Sequence, residues 1–317
     1  APTEILARQH LVCFQEWLQN TSIQCSWLDT SAEIVVGTHA LLNLNIRFKN
    51  LKLVLFDEQQ RFGVQQKKDL IEKGSKPHVI SMSATPIPRT LAWSYFGSLR
   101  PYFLSERIGK DTPIHTRVFF KKEWNDQAKK IIPFLEKGEQ LFVVVPRIEG
   151  EDGVELLAQE MSKTLWSQFS FRIIHGRLEN NIIHSAIDDF KSKRVSILFC
   201  TTILEVGVDL PAINHMMVYG ADRLGLSSLH QLRGRLARGL ESKEGFCQFF
   251  SDNEDSVERL SVLEKYQSGF EVAAADLRHR GPGELLGTEQ HGRGFFQYFD
   301  PLRDEDLINL LAEFEDN

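Results

Sequence analysis

The 317-residue chain contains no GxxxxGK[ST] string, the loop whose backbone amides cradle nucleotide phosphates in many nucleotide-hydrolysing folds. It also lacks long apolar runs: no window approaches about 18 consecutive apolar residues, which argues against a membrane-spanning helix. The opening APTEILARQH has neither the basic region nor the apolar core of a signal peptide. Cysteines number only four, Cys13, Cys25, Cys200 and Cys247, with no CxxC pair and no metal-ligand spacing. A disulfide framework is therefore disfavoured, and buried reduced thiols in a cytoplasmic protein are expected. No HExxH or paired histidine spacing supports a catalytic metal held by protein nitrogens. Excess positive charge is missing as well. A net charge of −6 does not advertise a nucleic-acid binder, although a local cleft and backbone amides can grip phosphates under an acidic outer surface. The basic clusters KKEWNDQAKK (121–130) and FKSKR (190–194) read as solvated helix faces.

What is present, 42% hydrophobic and 25% charged residues, describes a globular protein with room for two separate cores. TEILARQHLVCFQEWLQ places Ile5, Leu6, Leu11, Val12 and Phe14 at helical spacing. AEIVVGTHALL, LKLVLFDE and HVISMSATP follow as unbroken apolar strands separated by helical stretches, a pattern of buried parallel strands. Their ends are polar: Gly37-Thr38-His39, Asp57-Glu58 and Ser83-Ala84-Thr85. In an open parallel sheet, ligands collect at that carboxyl edge. Pro101, Gly109 and Pro113 punctuate a linker at about 105–116. GEQLFVVVPRIEG, FSFRIIHGRL, VSILFCTTILEVGVDLP, INHMMVYGADRLG and GFCQFFSD then form a second doubly wound series. The tail is helical through SVERLSVLEKYQSGFEVAAADLRHRG, then glycine-rich, then acidic. The expected organisation is α/β, with domains at 1–105 and 106–250 and a tail at 251–317.

Asp57 and Glu58 close an apolar strand. A carboxylate there can hold Mg²⁺ through water while its neighbour orients a water attacking a terminal phosphate. Ser83 and Thr85 end the adjacent strand and offer hydroxyls to those carboxylates. In QLRGRLARG, Arg235 and Arg238 are three apart and would share a helix face, suited to clamping charge on a transferring phosphoryl group. Gly234 and Gly239 suggest close backbone approach beside them. In TTILEVGVDLP, the hydroxyls of Thr201 and Thr202 could hold a nucleic-acid phosphate, while Gly207 and Asp209 lie toward a nucleotide. Thr3, Thr38, His39, His175 and Gly176 could touch the same strand's backbone.

Taken together, these strings resemble the superfamily 2 helicases and, within them, the RecG family. APTEILARQH is similar to motif Ia, VVGTHALL to Ib, DEQQ to II, SATP to III, the TTILEVGVD string to V and QLRGRLARG to VI. ADRLGLSSLHQLRGR and GFEVAAADLRHRGPGELLGTEQHG resemble the motif shared by the RecG and Mfd families, with RGPGELLGT closer to RecG wording. The resemblance implies two RecA-like parallel-sheet domains, the first truncated, followed by a helical hairpin and loop tail. It implies ATP and Mg²⁺ as cofactors, with Gln60 and Gln231 joining the nucleotide site. It also implies a monomeric translocase on branched double-stranded DNA, with Arg278, Arg280 and Gln290 transmitting motor movement. Gln60 departs from the family's usual histidine, and Ala237 stands where glycine is usual. With no phosphate loop the chain alone is expected to turn over little ATP, as a fragment of a longer motor would. Two other readings are an Mfd-type translocase and a non-enzymatic DNA-binding or protein-binding scaffold.

Overall fold

The computed structural model describes residues 1–43, 45–83, 102, 104, 113–202, 213–236 and 244–280. They fall into two compact units, with residues up to 83 in the first and residues 113–280 in the second.

In the first unit, helix α1 (Glu4–Leu18) starts at Thr3, whose hydroxyl accepts from the Leu6 N–H at 3.4 Å. Capping satisfies one of the donors that a helix start leaves orphaned. Strands β1 (Cys25–Trp27) and β2 (Ile34–Val36) pair in parallel, as do β3 (Leu53–Phe56) and β4 (His78–Ser81). The expectation of strands buried on both faces needs correction for the second pair. Val54 and Phe56 pack with Phe62 against Leu70 and Ile71, at the end of helix α2 (Val64–Ile71). On the opposite face Leu53, Leu55 and Ile80 remain 48%, 45% and 48% exposed. A continuous apolar run is compatible with double coverage but does not itself supply the second layer.

Among the described residues, the second unit contains a six-stranded, wholly parallel sheet. Its strands are β5 (Ile114–Phe120), β6 (Leu141–Val144), β7 (Phe171–Ile174), β8 (Ile197–Cys200), β9 (His215–Tyr219) and β10 (Gly245–Ser251), in the order β5-β10-β9-β6-β8-β7. β5 corrects the linker, because the chain is already a strand at Ile114. His115 and Arg117 obscured its apolar pattern; seven registered residue pairs with β10 establish it.

β6 and β8 are buried at every position. Alternate residues Leu141, Val143, Ile197 and Phe199 meet Trp124, Ala128, Ile131 and Leu135 of α3 (Trp124–Glu136) and Leu157 and Met161 of α4 (Val154–Lys163). On the other face Phe142 stacks at 5.0 Å on Phe190 of α5 (Asn180–Lys191). Burying each such side chain stabilises the fold by about 1.5–3 kcal/mol relative to exposure. Cys200 and Cys247 belong to this core, and burial pushes the Cys247 thiol up to about 12. All four cysteines are free, Cys13 being exposed and Cys25 partly so.

Helix α6 (Leu226–Arg233) follows β9. Beyond β10 come α7 (Glu254–Leu260), α8 (Val262–Lys265) and α9 (Gly269–Arg280), all within the second unit. These helices pack onto it through polar anchors. Glu264 accepts from the Val118 N–H of β5 at 2.7 Å, and Arg259 donates to the carbonyls of Asp222 and Leu224 at 2.9 and 3.1 Å. Among the described residues no helix is long and apolar enough to cross a membrane.

His215 opens β9 between the rings of Phe134 and Phe246, with Nε2 2.8 Å from Glu139 and a buried, unpartnered Nδ1. Protonation would place a donor where there is no acceptor. Burial accordingly holds the imidazole below its ordinary pKa, although Glu139 pulls the other way. The unfolded chain therefore binds this proton more readily. The associated stability is present above the ordinary histidine range, about 6.5, and is lost as pH falls through the folded value. We expect His215→Phe to flatten the loss of thermal stability between pH 7.5 and 5, read by melting curves of wild type and variant.

Candidate functional site

In the first unit the sheet end delivers Asp57 and Glu58 directly after β3. His10 of α1 reaches Asp57 Oδ2 at 2.8 Å, and the Glu58 N–H donates to Asp57 Oδ1 at 2.9 Å. The hydrogen bond from His10 holds the Asp57 carboxyl below its ordinary pKa, against the opposing effect of burial, with the Glu58 amide assisting. The group is thus an anion at neutral pH. Each oxygen retains a lone pair, enough to accept from water bound to a magnesium ion. Among the described residues no three His, Cys, Asp or Glu side chains converge to form a direct metal cage. Asp57 fits water-mediated attachment of Mg²⁺, whose chemistry would be to neutralise phosphate charge.

Glu58 adopts φ +50° and ψ 51°, a left-handed conformation that costs a non-glycine residue about 1–2 kcal/mol. Two backbone bonds brace this turn against the neighbouring strand, from the Met82 N–H to Phe56 O at 2.7 Å and from the Gln59 N–H to Met82 O at 3.0 Å. The same bracing brings up Ser83. Its hydroxyl donates to Gln60 Oε1 at 3.0 Å, and Gln60 Nε2 donates to Glu58 Oε2 at 2.5 Å. Ser83 therefore communicates with the acidic pair through the Gln60 amide, a link the sequence reading did not draw. Thr85 lies outside the described residues.

Thr38 and His39 follow β2 through Gly37. A Cβ on Gly37 would sit 2.5 Å from Leu28 Cδ2 and 2.8 Å from Leu41 Cγ, so any larger residue at this bend would have to displace both leucines. Thr38 accepts from the Ala40 N–H at 3.4 Å, and His39 stacks on Phe62 with centroids 4.5 Å apart. Thr3 and Thr38 thus both cap helical turns.

The carboxyl edge of the second sheet gathers His175, Gly176, Thr201 and Thr202 behind β7 and β8. His175 is buried, with Nε2 3.2 Å from Glu155 and Nδ1 accepting from the Arg177 N–H at 3.3 Å. Both nitrogens are engaged, so the histidine shapes the turn. A Cβ on Gly176 would meet nothing within 4 Å, leaving backbone open to close approach. Sequence reasoning missed Arg147 and Arg177, both exposed at this edge, with Arg177 paired to Glu149. Arginines immediately after VVVP and HG were the available signal. It also missed Lys121, Asp152 and Arg223. Bonds from Lys121 first and then Arg223 hold the Asp152 carboxyl below its ordinary range.

Arg235 does not lie on a helix, so the described backbone gives it no helix face to share. Helix α6 ends at Arg233, Gly234 caps it by donating to His230 O at 2.9 Å, and Leu236 enters a parallel bridge with Ile213. Extended pairing at Leu236 ends the helix before the second arginine. Arg235 therefore sits in the turn, Gln231 on the helix. Arg238, Gly239, Gly207, Asp209 and Gln290 lie outside the described residues. A Cβ on Gly234 would lie 3.3 Å from Gln231 O, tight but without the severe clash seen at Gly37. The string's first arginine, unassigned from sequence, is instead 2% exposed. Arg233 donates to Leu263 O at 2.5 Å and Gln267 O at 3.2 Å, with His230 Nδ1 at 2.8 Å, tying α6 to α8 and to the segment that follows it. Arg278 is exposed on α9, and Arg280 is that helix's last residue.

Comparison with known proteins follows this layout. The DEAD/DEAH box helicase family matches residues 1–92, and the Helicase conserved C-terminal domain family matches residues 125–239. The chain is similar to the ATP-dependent DNA helicase RecG of Synechocystis sp. (37% identity, 99% of this chain, 40% of the relative). It is also similar to RecG of Aquifex aeolicus (36% identity, 98% of this chain, 42% of the relative). A solved structure of RecG bound to a three-way DNA junction is similar with a TM-score of 0.67 and 31% identity, over 97% of this chain and 42% of that one. The chain thus spans about two fifths of these proteins.

Removing the Arg233 guanidinium leaves the Leu263 carbonyl without its buried donor, a loss of about 1–3 kcal/mol. We expect Arg233→Met to lower the melting temperature of the second unit by several degrees, and Arg235→Met to lower it much less, measured by thermal denaturation.

Proposed function

We propose that the chain is a member of the RecG family of superfamily 2 helicases and forms motor domains of an ATP-dependent translocase acting on branched double-stranded DNA. Stalled forks and Holliday junctions are its substrates, and it works as a cytoplasmic monomer in recombination and repair. The observation that carries this reading is the ionised Asp57 beside a strained Glu58 that is linked through Gln60 to Ser83. Such an arrangement lets a strand-end hydroxyl respond to what the acidic pair holds.

In this reading Asp57 holds magnesium through water and Glu58 orients the water that attacks the terminal phosphate of ATP. Arg235 and Arg238 stabilise charge on the transferring phosphoryl group. Gln60, Ser83, Thr85, Gly207, Asp209 and Gln231 complete the nucleotide site. Thr3, Thr38, His39, His175, Gly176, Thr201 and Thr202 line the DNA track, His175 by shaping the turn that exposes Gly176. Arg278, Arg280 and Gln290 carry movement onward to the junction.

A loop of the GxxxxGK[ST] type is needed to hold the β and γ phosphates, and the chain contains none. We expect negligible DNA-stimulated ATP turnover from this chain alone. Turnover matching that of intact helicases would overturn the assigned division of labour.

In a longer form carrying a phosphate loop, Arg238→Ala should reduce turnover by about 1,000-fold or more, the scale of an arginine finger. DNA affinity should change little. Coupled ATPase assays and junction-binding titrations check this, and a selective loss of DNA binding would reject the arginine's role.

A further inference from the structure

Lys73 lies just beyond α2, in a chain segment with no assigned role. Its ammonium donates to three backbone carbonyls, Leu41 O at 2.8 Å, Asn43 O at 2.5 Å and Ile46 O at 3.1 Å. All three belong to the loop that begins at Thr38 and His39. An ammonium has three N–H donors and no acceptor, so this cage saturates it and leaves no donor for a phosphate.

The loop is built to present those carbonyls. Thr38 caps the turn, the Asn43 N–H donates to Ala40 O at 3.1 Å, and the Ile46 N–H donates to Asn43 O at 3.0 Å. Three carbonyl dipoles aimed at one point repel one another without a cation among them. The lysine's own base is also fixed. A Cβ on the next residue, Gly74, would lie 2.8 Å from Leu51 O, so the turn is seated against the segment entering β3. Burial lowers the Lys73 pKa, and Asp69 partly offsets that effect.

We propose that Lys73 is a positioning residue for DNA binding: by crosslinking Leu41, Asn43 and Ile46 it fixes the loop that offers Thr38 and His39 to the DNA backbone. This rests on the reading above that Thr38 and His39 touch DNA. The lysine itself makes no phosphate contact.

The test is a salt series of binding titrations between the full chain and a three-way DNA junction, with melting curves in parallel. Lys73→Met should weaken binding about tenfold, equivalent to losing one or two hydrogen bonds, with an unchanged slope of log affinity against log salt. A lysine contacting phosphate would instead lower the slope by about 0.9, and that result would overturn the positioning role. In Lys73→Ala, added propylammonium should restore affinity, whereas tetramethylammonium, which has no N–H, should not. Rescue of the melting temperature without rescue of affinity would reduce Lys73 to a structural prop and overturn the proposal. A paired Thr38→Ala, His39→Ala variant separates the two levels. If it weakens binding while Lys73→Met does not, the lysine proposal fails alone; if it leaves binding unchanged, the DNA-contact reading fails and takes the proposal with it.

Discussion

Parallel pairing is the constraint on which the rest of the molecule depends. In both units every described strand pair runs the same way, so strand ends of one polarity collect along one edge. The chain leaves that edge through polar residues and returns by a crossover on a face of the sheet. Acids, hydroxyls and arginines scattered through the sequence are thereby gathered without any of them being buried in a strand. At Glu58 and Ser83 the gathering is tight enough that one side chain, Gln60, spans the gap between neighbouring strand ends.

The elements most legible in the sequence were those whose burial is complete. LFVV and ILFC are buried at every position, and their unbroken apolar runs announced it. β5 was hidden because a strand at the edge of its sheet carries His115 and Arg117 among its apolar residues. β1, only Cys25–Trp27, was too short to register as a pattern. The outer face of β3 was misjudged for another reason. Residue type records what a face could bury, whereas its actual covering is a tertiary matter.

The candidate site was legible at the level of residue and position, less so at the level of partner. Asp57, Glu58 and Ser83 stand where strand ends were expected. Nothing in the spacing announced that His10, 47 residues away, would be the main hydrogen-bond partner of Asp57. Likewise the three arginines of LRGRLAR look equivalent as text. Position relative to the helix end separates them: Arg233 falls on the inward side of the last helical turn, while Arg235 falls past Gly234. A periodicity argument that carries the helix past Arg233 puts Arg235 on a helix that the backbone has already left.

The carboxylate of Glu264 has a meaning for assembly beyond attachment of its helix. Among the described residues β5 is one of the two outermost strands of its sheet, and the outer side of such a strand is a template onto which another chain could add by backbone pairing. Glu264 occupies the Val118 amide and Gln267 the Ile114 carbonyl, so the tail acts as a stopper on that side. Peeling the tail away would open a sticky flank, which favours motion of these helices together with the sheet as one body.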